Sequence, residues 1–343
     1  MARKKKGRKK KKILIIFLVL LLIAGGIFAY FYFFKGQNVV GKVKDKVVEK
    51  KLKIVDPNSK TRPIAVMIDN HDDAWPHAGL QDAYISYEII VEGGLTRIMA
   101  IFKDQNTELI GPVRSSRHYF LDYAMENDAI YAHYGWSPQA QSDISTYGIN
   151  NLNGIYSDAF WRDNTLYAPH NAFTNIESLE EASEGAGYDM ETDQELLLNY
   201  NVDEISLESK EGALIANNIS IDYSYYHNTS YTYDIENKVY NRIMNGIPHT
   251  DKITGNQYTV KNIIILKVDN YSMDSSGRQD IDNLGTGDGY YVTDGYAVPI
   301  KWSKQTRESQ TVYTYLDGEE IEVNDGNTYI QIQPINQELL ITE

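Results

Sequence analysis

From Ile13 to Phe34 the chain runs for 22 residues without a charge, directly behind a block from Arg3 to Lys12 that is almost wholly Lys and Arg. This run limits the architecture most, because a stretch that is apolar on every side has no face to offer water. As a helix it would span about 33 Å, enough for a bilayer core of about 30 Å. The expectation is therefore a single transmembrane helix over 13–34, with a basic cytoplasmic tail over 1–12 and a linker over 35–60. Tyr30 and Tyr32 stand where an interfacial aromatic belt would lie. Nine Lys/Arg precede the run and seven lysines, Lys35 to Lys53, follow it. The acid-free block beside the run favours a single-pass membrane protein with a cytoplasmic N-terminus and an extracytoplasmic body.

Charge divides the chain at the same place. Residues 1–60 hold 17 Lys+Arg and 3 Asp+Glu, leaving 16 and 44 for the rest, so the body is near −28 within a net charge of −14. Such a body is a poor partner for nucleic acid, whose binding needs a broad basic face. There is no cysteine. Disulfides, thiolate chemistry, zinc thiolate sites and a cysteine-linked lipid are thereby excluded. Leu22-Ile-Ala-Gly-Gly26 has the form of a lipoprotein cleavage box with glycine at the cysteine position.

Within the body, Arg62 to Asn70 is an apolar run closed by Asp-Asn, the pattern of a buried first strand. Tyr87 to Glu92 and Thr96 to Phe102 read as two strands joined by a turn at Gly93-Gly94. Helices are expected over Arg117–Asn127, Ser137–Tyr147 and Thr174–Gly185. From about Ile219 onward, tyrosines and β-branched residues alternate with polar ones between Asn-Gly, Thr-Gly and Asp-Gly turns. The expected fold class is thus an α/β N-terminal domain over 61–187, with a mixed sheet and helices. A connection over 188–218 leads to a mainly antiparallel β C-terminal domain over 219–343.

Two segments gather the chemistry: Glu92-Gly-Gly-Leu-Thr-Arg97 and Gly111-Pro-Val-Arg-Ser-Ser-Arg117. Between Thr61 and Tyr200 the only lysine is Lys103, so Arg97, Arg114, Arg117 and Arg162 carry most of the positive charge there. A strand leading into a helix start offers unpaired N–H groups, and guanidinium matches phosphate or carboxylate in bidentate fashion. These four arginines, with Ser115 and Ser116 at the helix start and Asn171 beside His170, are the ligand-binding candidates. The two serines also suit helix caps. The competing reading pairs the arginines with Glu88, Glu92 and Asp122 in a structural network. Glu88 and Glu92, four apart, would share a side; with Asp69 they could hold a divalent cation, the one cofactor candidate. His170, in a polar loop, and Glu92 are the candidate acid and base. His71 and His77 lack zinc-like spacing, and His133, in an apolar strand, suits a satisfied core histidine. Trp75, Trp136 and Trp161 lie in loops near this region and suit a glycan-facing cleft.

On these motifs, together with Phe160-Trp-Arg-Asp163, His170-Asn171 and Tyr240-Asn-Arg-Ile-Met-Asn-Gly-Ile-Pro-His249, the chain resembles the YerB-like family of bacterial lipoproteins, a domain family of unknown function. The resemblance implies an extracytoplasmic, membrane-tethered protein with an N-terminal and a β-rich C-terminal domain, and supplies no reaction. Ile110 to Arg117 followed by Ile130 to Gly135 is also similar to the core of the LytR-CpsA-Psr phosphotransferases. That likeness implies arginines on a lipid pyrophosphate and acidic metal ligands, although Ser115 follows Arg114 where that family has Asp. Three functions follow: binding an anionic wall-polymer precursor or peptidoglycan component, docking another envelope protein as a scaffold, or wall-polymer phosphotransfer.

Overall fold

In a computed structural model, residues 18–19, 21–23, 25–26 and 51–343 are described. The first correction concerns the membrane. Among the described residues no helix is long and apolar enough to cross one, so the expected transmembrane helix over 13–34 is not supported. Of that segment, Leu18, Val19, Leu21 to Ile23, Gly25 and Gly26 are helical, and the rest lies outside the described residues, as do the expected tail and most of the linker.

The body, residues 51–343, is one compact unit and is mostly β with few helices. Its N-terminal half contributes strands β1 (Ile64–Asp69), β2 (Ile85–Ile90), β3 (Thr96–Phe102), β4 (Ile130–His133) and β5 (Asn151–Asn153). The helices are α1 (His118–Glu126), α2 (Pro138–Thr146) and α3 (Ile176–Gly185). Ser137 and Asn175 cap α2 and α3 by accepting the backbone N–H of Ala140 and Ser178.

The expected α/β class of the N-terminal half is the second correction, since the body is mostly β with few helices. Among the described residues, one sheet of eleven strands runs through both halves. The strand Thr328–Pro334 lies parallel to β2, Ile85 opposite Thr328, and on its other side parallel to Asn262–Val268. Antiparallel strands Gly285–Thr293, Tyr296–Lys304 and Val312–Tyr315 extend that edge. β1 to β3 and Thr328–Pro334 are buried at every position, as strands covered on both faces must be.

Period two sorts the side chains onto two faces. Ala65, Met67, Tyr87, Ile89, Met99 and Ile101 pack with Tyr119, Phe120 and Tyr123 of α1. On the other face, Ile64, Val66, Ile68, Ile98 and Ala100 pack with Ile176 and Leu179 of α3. There too a second sheet, built from Asn218–Ser224, His227–Asp234, Val239–Met244 and Leu339–Thr342, covers Ile90, Ile263 and Ile265 with Ile219, Ile221 and Tyr231. β1, β2, β4, β5, Asn262–Val268 and Thr328–Pro334 all point the same way, so their carboxyl ends open at one edge of the molecule.

Candidate functional site

The carboxyl ends of β1, β2 and β4 frame an open cleft of about 650 Å³, lined among others by Asp69, His71, Glu92, Arg97, Arg114, Arg117, Trp136, His170 and Arg278. Its place follows from the topology, since chain leaving the carboxyl edge of parallel strands diverges and leaves a crevice. Asp69 is the last residue of β1, and Arg97 sits opposite it on antiparallel β3. Glu92 follows β2 in a turn over Glu92–Gly94, where Gly93 and Gly94 both have positive φ.

Asp69 organises the centre. Its Oδ2 lies 2.7 Å from Nδ1 of His170 and 3.1 Å from Nε of Arg114. A carboxylate can only accept, so His170 Nδ1 donates in that bond. Arg97, buried, donates to the Ser115 carbonyl. Burial and the nearby Arg117 push its pKa down to about 10, so it stays charged at neutral pH. Arg117 grips Glu92 with two bonds, Nε to Oε1 at 2.7 Å and Nη2 to Oε2 at 2.9 Å. Burial pushes the Glu92 carboxyl up, but the Arg117 guanidinium outweighs it, and the net shift is downward. Arg278 reaches the cleft from a C-terminal hairpin and is tied to Asp274 by Nε at 2.6 Å. Arg114 is the least engaged: beyond its Nε contact, its terminal nitrogens have no hydrogen-bond partner among the described residues. Four guanidinium groups thus meet the three carboxylates of Asp69, Glu92 and Asp274, a local surplus of one positive charge in an acidic body.

The structure therefore brings together Arg97, Arg114, Arg117, Ser115, Asp69, Glu92 and His170. Glu88 is the exception among the expected metal ligands. It lies on the opposite face of the sheet from Asp69 and Arg97, because the turn at Glu92 breaks the strand's period before the second carboxylate. There Glu88, fully buried, accepts from Arg242 Nη2 at 2.6 Å, from His227 Nε2 at 3.0 Å, and from Asn70, Thr96 and Thr229. Burial opposes its charge, yet Arg242 and His227 hold its pKa below the ordinary carboxylate value. Asp69, Glu88 and Glu92 are no ligand set. Ser116 is also sealed, its Oγ accepting from the Tyr131 hydroxyl at 2.9 Å. The N-cap of α1 is Arg117, without a side-chain cap, so neither serine caps the helix. Arg162 and Asn171 do not line the cleft: Arg162 stacks over Tyr134 at 4.5 Å and donates to Asn171 Oδ1. His133 is a satisfied core histidine, bonded to the Gly135 carbonyl and Asn151.

Sequence reasoning did not find the buried chain that joins this cleft to the second sheet. Since the Asp69 carbonyl can only accept, His77 Nε2 donates to it, at 2.6 Å. His77 Nδ1 then accepts from His249 Nε2 at 2.7 Å, and His249 Nδ1 accepts from Arg242. This one direction satisfies every ring nitrogen with both imidazoles neutral. The pKa directions agree: burial, then Arg242, takes His77 down to about 4, and the same causes take His249 well below the ordinary value. Arg278, His71 and Asp73 were also missed. The only sequence signal for Arg278 is an arginine closing the polar turn Asp274-Ser-Ser-Gly-Arg278.

Comparison with known proteins agrees with the first resemblance. Residues 52–189 match the N-terminal domain, and residues 219–330 the C-terminal domain, of the family described as "Protein of unknown function (DUF3048)". The protein named "Putative lipoprotein YerB" of Bacillus subtilis (strain 168) is 32% identical over 288 residues, covering 82% of this chain and 84% of the relative. The crystal structure of YerB from Bacillus subtilis superposes with a TM-score of 0.72 at 31% identity, covering 82% of this chain and 94% of that one. The likeness to the LytR-CpsA-Psr core gains no support from these comparisons. The chain belongs to the YerB-like DUF3048 family, through both its N-terminal and its C-terminal domain.

Proposed function

We propose that this is an extracytoplasmic protein of the bacterial cell envelope whose cleft binds an anionic ligand, of the phosphate-bearing wall-polymer precursor or peptidoglycan class. The envelope placement rests on the relative's name, which calls that protein a lipoprotein. The observation that carries the ligand class is the convergence of Arg97, Arg114, Arg117 and Arg278 on one solvent-reachable cleft in a body poor in cations. Arg114 makes the direct contact, because its terminal nitrogens are free to form the paired bonds that guanidinium offers to phosphate or carboxylate. The other three set the field: each already has a partner in Ser115, Glu92 or Asp274. Trp136 and exposed Tyr156, whose ring centroids are 6.2 Å apart, offer stacking faces beside the charge, as a sugar-bearing anion would use.

The scaffold reading draws on the same pairs, since Arg117–Glu92 and Arg278–Asp274 also brace the fold. Phosphotransfer on the Asp69, Glu88 and Glu92 ligand set is not favoured, because Glu88 faces away from the cleft.

The test is calorimetric titration of the full chain with inorganic pyrophosphate and with an N-acetylhexosamine 1-phosphate. Charge-assisted bonds contribute about 1.5–3 kcal/mol each, so Arg114→Ala should weaken binding roughly tenfold to a hundredfold. An Arg114→Ala chain that folds normally and binds either probe as tightly as the parent would place the ligand elsewhere. Protease added to wall-stripped cells should degrade the body; its survival would overturn the extracytoplasmic placement.

A further inference from the structure

We propose that His71, Asp73 and His170 form a site for a divalent transition-metal ion of the zinc class on the rim of the arginine cleft. One nitrogen of each ring and one Asp73 oxygen lie within 4.8 Å of one another. The rings of His71 and His170 stack, centroids 4.6 Å apart and planes at 26°. His71 Nδ1 spends its lone pair on the Asp73 backbone N–H at 3.1 Å, and that capping bond has to be released before this nitrogen can coordinate an ion. The same nitrogen stands 3.6 Å from the Asp73 carboxylate. Two tetrahedral zinc ligands at about 2.0–2.1 Å from the ion stand about 3.3–3.4 Å apart, so the pair needs only a small approach to share one.

His170 has the arrangement typical of a metal-binding imidazole. Its Nδ1 is held by the Asp69 carboxylate at 2.7 Å, which fixes the ring and leaves Nε2 as the free donor. Asp69 is itself anchored as the last residue of β1 and braced by Arg114. The donor set decides the class of ion: two imidazoles and one carboxylate suit zinc and its neighbours, whereas magnesium and calcium require oxygen shells. Three protein ligands leave a tetrahedral ion one open position, and both His71 and His170 line the cleft. A cap on the Asp72–Ala74 turn explains the His71 bond to Asp73. It does not explain why a second, carboxylate-backed imidazole from a loop near residue 170 is stacked on it. The sequence concealed the site because His170 lies far along the chain from His71 and Asp73. The proposal is independent of the anionic ligand, since a metal alone reports on it.

The experiment is titration of the tag-free full chain, first stripped with chelator, with Zn²⁺ by calorimetry and with Co²⁺ by visible ligand-field absorption. One site per chain is expected. His71→Ala and His170→Ala should each abolish the cobalt spectrum, Asp69→Asn should weaken affinity about 10–100-fold, and His118→Ala should change nothing. His118 serves as control because it pairs with Asp280 outside the three ligands. Circular dichroism melts establish that each variant is folded. The proposal is overturned if the parent shows no stoichiometric site, or if folded His71→Ala/His170→Ala double variants bind as the parent does. Because the titration contains neither pyrophosphate nor sugar phosphate, its failure leaves the Arg114 result standing, and the reverse also holds.

Discussion

Glu88→Gln separates a structural carboxylate from a functional one. In the parent, Glu88 and Arg242 both have no exposed side-chain surface and meet at 2.6 Å. The substitution keeps the size and removes the charge, so Arg242 stays buried opposite a neutral amide. Removing one partner of a buried ion pair costs about 3–5 kcal/mol, since the remaining charge is out of water and uncompensated. At a urea slope of roughly 3 kcal/mol per molar, the unfolding midpoint should fall by about 1–1.7 M. Arg242→Met should cost less, because Glu88 keeps donors from Asn70, Thr96, His227 and Thr229. The double variant should lose less than the two single losses together, and the difference is the coupling between the charges. The assay is equilibrium urea unfolding of the four chains, paired with pyrophosphate and Zn²⁺ titrations of each folded variant. A Glu88→Gln chain within 1 kcal/mol of the parent would refute the buried-pair argument. One that kept its stability but lost cleft binding would return Glu88 to the site.

Two further outcomes follow from other parts of the network. His77 titrates at about 4 when folded and near 6.5 when unfolded, so below 6.5 the unfolded chain takes up a proton that the folded chain refuses. Stability is fully present above 6.5 and should fall by up to about 3 kcal/mol as the pH drops to 4; urea midpoints across that window should flatten in His77→Gln. Gly94 has φ +74°, and a Cβ there would meet Ser224 Oγ at 2.7 Å, in the turn that carries Glu92. Gly94→Ala should cost about 1–3 kcal/mol through strain and displacement of Ser224, read as a lower melting temperature.

How far the sequence showed the fold depended on whether the deciding contact was local. Ile64–Asp69 was legible as a buried strand because covering both faces leaves an unbroken apolar run. α2 and α3 fall within the expected ranges 137–147 and 174–185, and their starts are local, Ser137 and Asn175 each capping an N–H three residues on. The parallel pairing of β2 with Thr328–Pro334 left no local trace, and without it the two halves read as separate domains. The site followed the same rule. Arg97, Arg114 and Arg117 could be grouped in advance because the segments that carry them are close in sequence, whereas Arg278 arrives from the far half.

The same rule explains the wrong assignment of Glu88. Spacing of four places two side chains on one side only while the backbone keeps one period, and the turn at Glu92–Gly94 ends that period after Glu88. The two carboxylates then meet different arginines: Glu92 pairs with Arg117 at the rim, and Glu88 with Arg242, 154 residues away, in the dry layer between the sheets. One interaction leaves charge within reach of solvent and the other is closed to it. An arginine count could not distinguish them, because what separates a solvent-reachable guanidinium from a sealed one here is whether it lines the cleft or lies buried between the sheets. Arg114 lines the open cleft with two nitrogens unengaged, while Arg242 is fully buried, both its terminal nitrogens held by Glu88 and His249.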